Sequence, residues 1–153
     1  MQMLFRTHID NTAKEQVFDL IANIKHYDTW LPGSKSFWGI RHISDDPIKQ
    51  GTTYTDGQGR LEMHGLVRMY DPPEQIIFHQ VAKFRVLGIL SAELGVTVDY
   101  ILVQEHSGTT VIRNVEVEVK GILKLVRARI MSQIKTENER LLQVMKQVLE
   151  KTF

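Results

Sequence analysis

The stretch Lys120–Phe153 constrains the fold of this chain more than any other feature. It contains one Gly near its start and no Pro. Its apolar residues Ile122, Val126, Ile130, Ile134, Leu141, Met145 and Val148 fall on one face of a helix, since the spacing is built from threes and fours. A helix of about thirty residues is roughly 45 Å long. Such a helix, following more than a hundred residues of mostly strand-like sequence, needs a broad apolar surface to lie against.

The preceding sequence supplies strands for that surface. Met3, Phe5 and Ile9 alternate with Arg6 and His8, the pattern of a half-buried strand. Thr12 and Glu15 have the spacing of a capping box, and Val17, Phe18, Leu20, Ile21 and Ile24 form a helical face. Pro32 and Gly33 end that helical region, with Trp30 expected to pin its end. A second strand is predicted over Ser36–Ile43, on which the facing of Trp38 is left open, and a third over Thr52–Thr55. Gly57-Gln58-Gly59 reads as a tight hairpin connection. In strand four Leu61, Met63, Val67 and Met69 are expected on the apolar face, opposite Glu62, His64 and Arg68. In strand five Ile76, Phe78 and Gln80 share one face. Val96, Val98, Tyr100 and Leu102 do so in strand six, and Val111, Val115, Val117 and Val119 in strand seven, with Arg113 in their row. Consecutive strands joined by short turns pair antiparallel, and six or seven of them curl, so the long helix is predicted to lie in the concavity.

Several phrases in this order resemble the START-like (SRPBCC) superfamily, in particular its polyketide-cyclase/dehydrase and lipid-transport branch. They are VFDLIANIKHYDTWLPG (Val17–Gly33), GTTY (Gly51–Tyr54), the strand running into Asp71-Pro72-Pro73, SGTTV (Ser107–Val111), VKGIL (Val119–Leu123) and LLQVMKQVLE (Leu141–Glu150). The resemblance spans nearly the whole chain and implies one domain, 1–153, with the α+β helix-grip fold. That fold wraps a curved seven-stranded antiparallel sheet around the C-terminal helix and encloses a cavity that commonly holds an apolar ligand. The superfamily shares no catalytic motif to carry over, and fold alone does not give function.

The residues themselves exclude more chemistry than they suggest. The chain of 153 residues has no Cys, which removes disulfides, cysteine-ligated zinc and a thiol nucleophile. None of the six histidines, His8, His26, His42, His64, His79 and His106, forms an HxxxH or HExxH pattern, so no metal or other cofactor is expected. No GxSxG or phosphate-cradling Gly loop is present, and no catalytic residue is assigned. A net charge of +1 does not advertise nucleic-acid binding. The first ten residues mix acid and base, and no apolar run approaches the ~20 residues that span a bilayer. The expectation is a soluble, cytoplasmic protein with no obligate protein partner.

The positive signal is polar residues in apolar rows. Glu137 and Arg127 project about 40° to either side of a helix stripe centred near Leu123, Ile130, Leu141 and Val148, and Asn138 falls at its edge. Arg113 stands in a row of valines. A charge buried alone is costly, so each must be paired, reach water or meet a ligand. The expected cavity wall is Phe5, Met63, Phe78, Val98, Tyr100, Arg113, Ile130, Ile134, Glu137 and Leu141. Glu137 and Arg113 are candidates for an internal pair or for anchors of a ligand's polar end. The bland alternatives are a Glu137 that meets solvent and an Arg113 that snorkels at a strand end. Lys120–Lys151 carries eight Lys/Arg against three Glu, and Phe84–Leu90 (FRVLGIL) would form an apolar lip. Together they suit transient contact with a membrane surface, although a solvated helix face and a buried strand start account for them more simply. Binding or transport of a hydrophobic small molecule (a lipid, isoprenoid or polyketide-like compound) is the expected function. The alternatives are a cyclase or dehydratase drawing an acid/base pair from Glu137, Tyr100, Arg113 or a histidine, and a co-chaperone-like interaction module.

Overall fold

The computed structural model describes residues 1–33, 39–57 and 62–151. β1 (Gln2–Asp10) leads into α1 (Lys14–Ala22) and a 3-10 segment (Ile24–Thr29). Six strands follow: β2 (Ile40–Arg41), β3 (Thr53–Asp56), β4 (Met63–Asp71), β5 (Gln75–Val86), β6 (Leu90–Glu105) and β7 (Gly108–Gly121). A second 3-10 segment (Ile122–Val126) and α2 (Arg127–Glu150) complete the chain. The strands form one antiparallel sheet in the order β1-β7-β6-β5-β4-β3-β2. β2 to β7 pair in chain order as a meander, whereas β1 pairs with β7 across the whole length of the chain, from Gln2↔Glu116 to Asp10↔Gly108. Among the described residues no helix is long and apolar enough to cross a membrane.

The period-2 pattern decides which face is covered. Val111, Val115 and Val117 of β7, Val98, Tyr100 and Leu102 of β6, and Ile76 and Phe78 of β5 are buried on the concave face, while Glu116, Glu118, Ile101 and Val103 between them are exposed. α1 closes one part of the concavity with Val17, Phe18 and Ile21. α2 lies along β1, where the Lys146 ammonium donates to the His8 carbonyl and the Asp10 amide to Glu150.

Several local expectations are corrected. The long helix starts at Arg127, not Lys120, because β7 runs on to Gly121, whose φ of 71° turns the chain into the 3-10 segment. Ile122 and Val126 therefore lie outside α2. At α1 the N-cap is Ala13, whose amide donates to the Gln16 side chain, while the Thr12 hydroxyl turns back to the Asp10 carbonyl. The second strand is only Ile40–Arg41; Ser36–Trp38 fall outside the described residues, as do Gln58, Gly59 and Leu61. Met69 is exposed rather than inward, because a bulge between Val67 and Met69 shifts the β4 register.

The largest revision concerns the face of α2. Its buried residues are Met131, Asn138, Leu142, Met145 and Leu149. Of the residues expected at the stripe's centre, Ile130, Leu141 and Val148 form its half-buried flank together with Ile134, and Leu123 precedes the helix. Asn138 sits in the middle of the packed stripe, and Glu137 lies on the half-buried flank with Ile134 and Leu141, the reverse of the expected placement. Arg127 is exposed at the start of the helix.

Candidate functional site

A cavity of about 310 Å³ lies between the concave face of the sheet, the flank of α2 and the first 3-10 segment. Natural cores leave few voids larger than a water molecule, so this space is not a packing remainder. Its walls are mostly apolar: Phe78, Val96 and Val98 from the sheet, Ile130, Ile134 and Leu141 from α2, and Ile24 and Leu31 from the first helical region. Of the residues expected to line it, Met63, Phe78, Val98, Tyr100, Arg113, Ile130, Ile134, Glu137 and Leu141 border the cavity. Phe5 does not. It lies on edge strand β1, beyond Arg113 in the same cross-strand row, and packs against the rim of the core. Phe84 of the expected lip borders the cavity, whereas Leu87 and Ile89 at the β5–β6 turn are exposed. Trp30 stays outside and meets Tyr27 edge-on. None of the histidines contributes to the wall.

The polar groups form two poles. At the first, Tyr100 and Arg113 are direct cross-strand neighbours on β6 and β7, and the Arg113 guanidinium lies 4.6 Å from the centre of the Tyr100 ring. Arg113 Nε donates to Asn138 Oδ1 at 2.5 Å. Asn138 Nδ2 in turn donates to the Ile134 carbonyl at 2.7 Å, so the amide is held by its own helix. Arg113 is 9% exposed, and burial lowers its pKa to about 10, opposed by Tyr27 and Tyr54. It remains a cation at neutral pH. Glu137 is not its partner: the Glu137 carboxylate pairs with Arg140 at 2.5 Å on the helix flank, and Arg140 also donates to the Pro32 carbonyl.

The second pole was not singled out in the sequence. Tyr54 and Asp56 alternate on β3 and face inward with Gln80 of β5. The Gln80 amide donates to the Tyr54 hydroxyl at 2.9 Å and to Asp56 Oδ2 at 3.4 Å. Asp56 Oδ1 is buried with no hydrogen-bond partner among the described residues. Burial pushes the Asp56 carboxyl up to about 6, against the opposing pull of Gln80, the Gly57 amide and Arg41. Gly65 makes the pole possible. It stands opposite Tyr54 on β4, and a Cβ there would lie 2.2 Å from the Tyr54 ring. Without that carbon the ring passes over β4 to reach Gln80 on the next strand. Burial raises the hydroxyls of both Tyr27 and Tyr54 above the ordinary tyrosine range, so both stay protonated.

The strand order, the curved sheet and the helix in its concavity define an α+β helix-grip fold. Solved structures agree. The crystal structure of Ara h 8.0201 matches with a TM-score of 0.71 at 11% identity, covering 99% of each chain. Protein MLL2253 from Mesorhizobium loti matches at 0.70 and 13% identity, covering 100% of this chain and 99% of the other. The solution structure of the Aha1 dimer from Colwellia psychrerythraea matches at 0.68 and 13% identity, over 98% and 96%. No protein-family model and no curated protein sequence matches the chain. Identities this low carry the fold and leave function to the site.

Proposed function

We propose that this chain binds or carries a hydrophobic small molecule, of lipid, isoprenoid or polyketide-like type, in the cavity between the sheet and α2. The observation that supports it is the cavity itself: about 310 Å³, mostly apolar walls and a few converging polar groups. That combination is the usual design of a small-molecule site. Met63, Phe78, Val98, Tyr100, Ile130, Ile134 and Leu141 supply apolar contact, and Met63 adapts its shape to the ligand. Organic extraction of the purified protein followed by mass spectrometry tests the reading. A stoichiometric apolar compound is expected, and a protein that neither copurifies with nor takes up any apolar compound would sink it.

One observation favours a second reading, an enzyme of cyclase or dehydratase type. A carboxyl poised at about 6 inside a cavity, beside a protonated tyrosine, is suited to general acid/base work. Asp56 rather than Glu137 or a histidine would then carry the proton. Turnover of the copurified compound by the native protein, lost in Asp56→Asn, distinguishes this reading from binding alone.

A further inference from the structure

We infer that the ligand carries a single carboxylate and that Arg113 receives it. This inference rests on the proposal that the cavity holds an apolar molecule, and it names that molecule's polar end. Arg113 projects from β7, one strand in from the sheet edge, into the cavity wall and is almost fully buried. Of its five N–H donors, one is used, by Asn138. The Tyr100 ring covers one face of the guanidinium. Among the described residues it forms no ion pair and no further hydrogen bond.

The other charges on the wall are engaged elsewhere. Glu137 pairs with Arg140, and Asp56 accepts from Gln80 on the other side of the cavity. A buried cation without a counter-charge is among the costliest features a fold can retain. The chain nevertheless holds this one rigidly: Asn138 is tied to Ile134, and the guanidinium is set between amide and ring. A pre-positioned planar fork with free donors fits the two oxygens of a carboxylate. The stoichiometry of charge selects a monoanion. One guanidinium balances one negative charge, whereas a phosphate dianion would leave an excess beside Glu137 and Asp56, with no second cation on the wall among the described residues.

The test is fluorescence titration with cis-parinaric acid and its methyl ester, which differ only in the head group. The native protein is expected to bind the acid at least about tenfold more tightly than the ester, the scale of a charge-assisted hydrogen bond. Arg113→Met should bring the ratio close to one by weakening the acid alone. Asn138→Asp should do the same while keeping the arginine, because it supplies an internal carboxylate within reach of Nε. It remains informative if Arg113→Met fails to fold. Equal binding of acid and ester by the native protein, or a ratio that survives in the variants, overturns the inference and leaves the apolar-cavity proposal standing. Binding of the ester alone overturns it likewise. Binding of neither probe counts against both.

Discussion

Arg113 and Asp56 both project from the concave face of one sheet into one cavity, and the fold treats them differently. Arg113 is held by an amide and an aromatic ring and keeps its charge, since burial lowers its pKa only to about 10. Asp56 has one long hydrogen bond to Gln80 and one oxygen with no partner among the described residues, and burial moves it to about 6. A carboxyl can answer burial by taking up a proton near neutral pH. A guanidinium cannot give one up, so its compensation must come from fixed neighbours or from a ligand. The cavity therefore has one permanent pole and one that switches with pH.

The largest effect should come from isolating the permanent pole. Asn138→Leu removes the one hydrogen-bond acceptor that Arg113 has among the described residues and is expected to cost about 3 kcal/mol in urea unfolding. The double variant Arg113→Met/Asn138→Leu should recover most of that loss. If it does not, the cost comes from packing around Asn138 and not from the charge.

Gly65→Ala attacks the second pole through its scaffold. The new methyl overlaps the Tyr54 ring, which must leave Gln80, at a cost of about 2 kcal/mol. Near-UV circular dichroism should report the displaced tyrosine.

Asp56→Asn tests the switching pole by pH. The folded pKa of about 6 lies above the ordinary aspartate value of 3.8, so between these the folded protein binds more protons than the unfolded chain. Asp56 thus makes stability fall as pH rises from about 4 to about 6, with no further change above. Relative to the native protein, Asp56→Asn should gain stability through that window and reach about 2 kcal/mol at pH 7, after allowance for cavity water. A flat difference curve would show that Asp56 titrates normally.

Glu137→Gln should have the smallest effect, about 0.5 kcal/mol or less, because it removes a flank pair with Arg140 and leaves Arg113 untouched. A cost as large as that of Asn138→Leu would restore Glu137 as the counter-charge of the permanent pole.

How far the cavity could be read from sequence differs between strand and helix. On β6 and β7 the period of two places Tyr100 and Arg113 on the inner face with no ambiguity, and the structure finds both there. Tyr54, Asp56 and Gln80 obey the same rule, although Asp56 lies one residue beyond the strand predicted over Thr52–Thr55. Their meeting was not legible, because it depends on a close approach over Gly65 between strands. On α2 the period is right but the centre is misplaced. A helix beside a cavity has one apolar side that packs and another that lines the void, and periodicity does not separate them. Counting Ile122 and Val126 as helical pulled the centre further off. Asn138 was therefore put at the edge and Glu137 near the middle, whereas Asn138 packs and Glu137 turns to Arg140.

Alternation, turn residues and one long amphipathic stretch are local properties, and from them the sequence alone determined the element order, the antiparallel sheet and a helix to fill its curve. Tertiary structure alone decided which polar residues share the space between. A counter-charge is a matter of distance in three dimensions, and Arg113, Asn138 and Glu137 are brought together or kept apart by how α2 is rotated against the sheet. That rotation is set by the packing of Met131, Leu142, Met145 and Leu149, which no local pattern encodes.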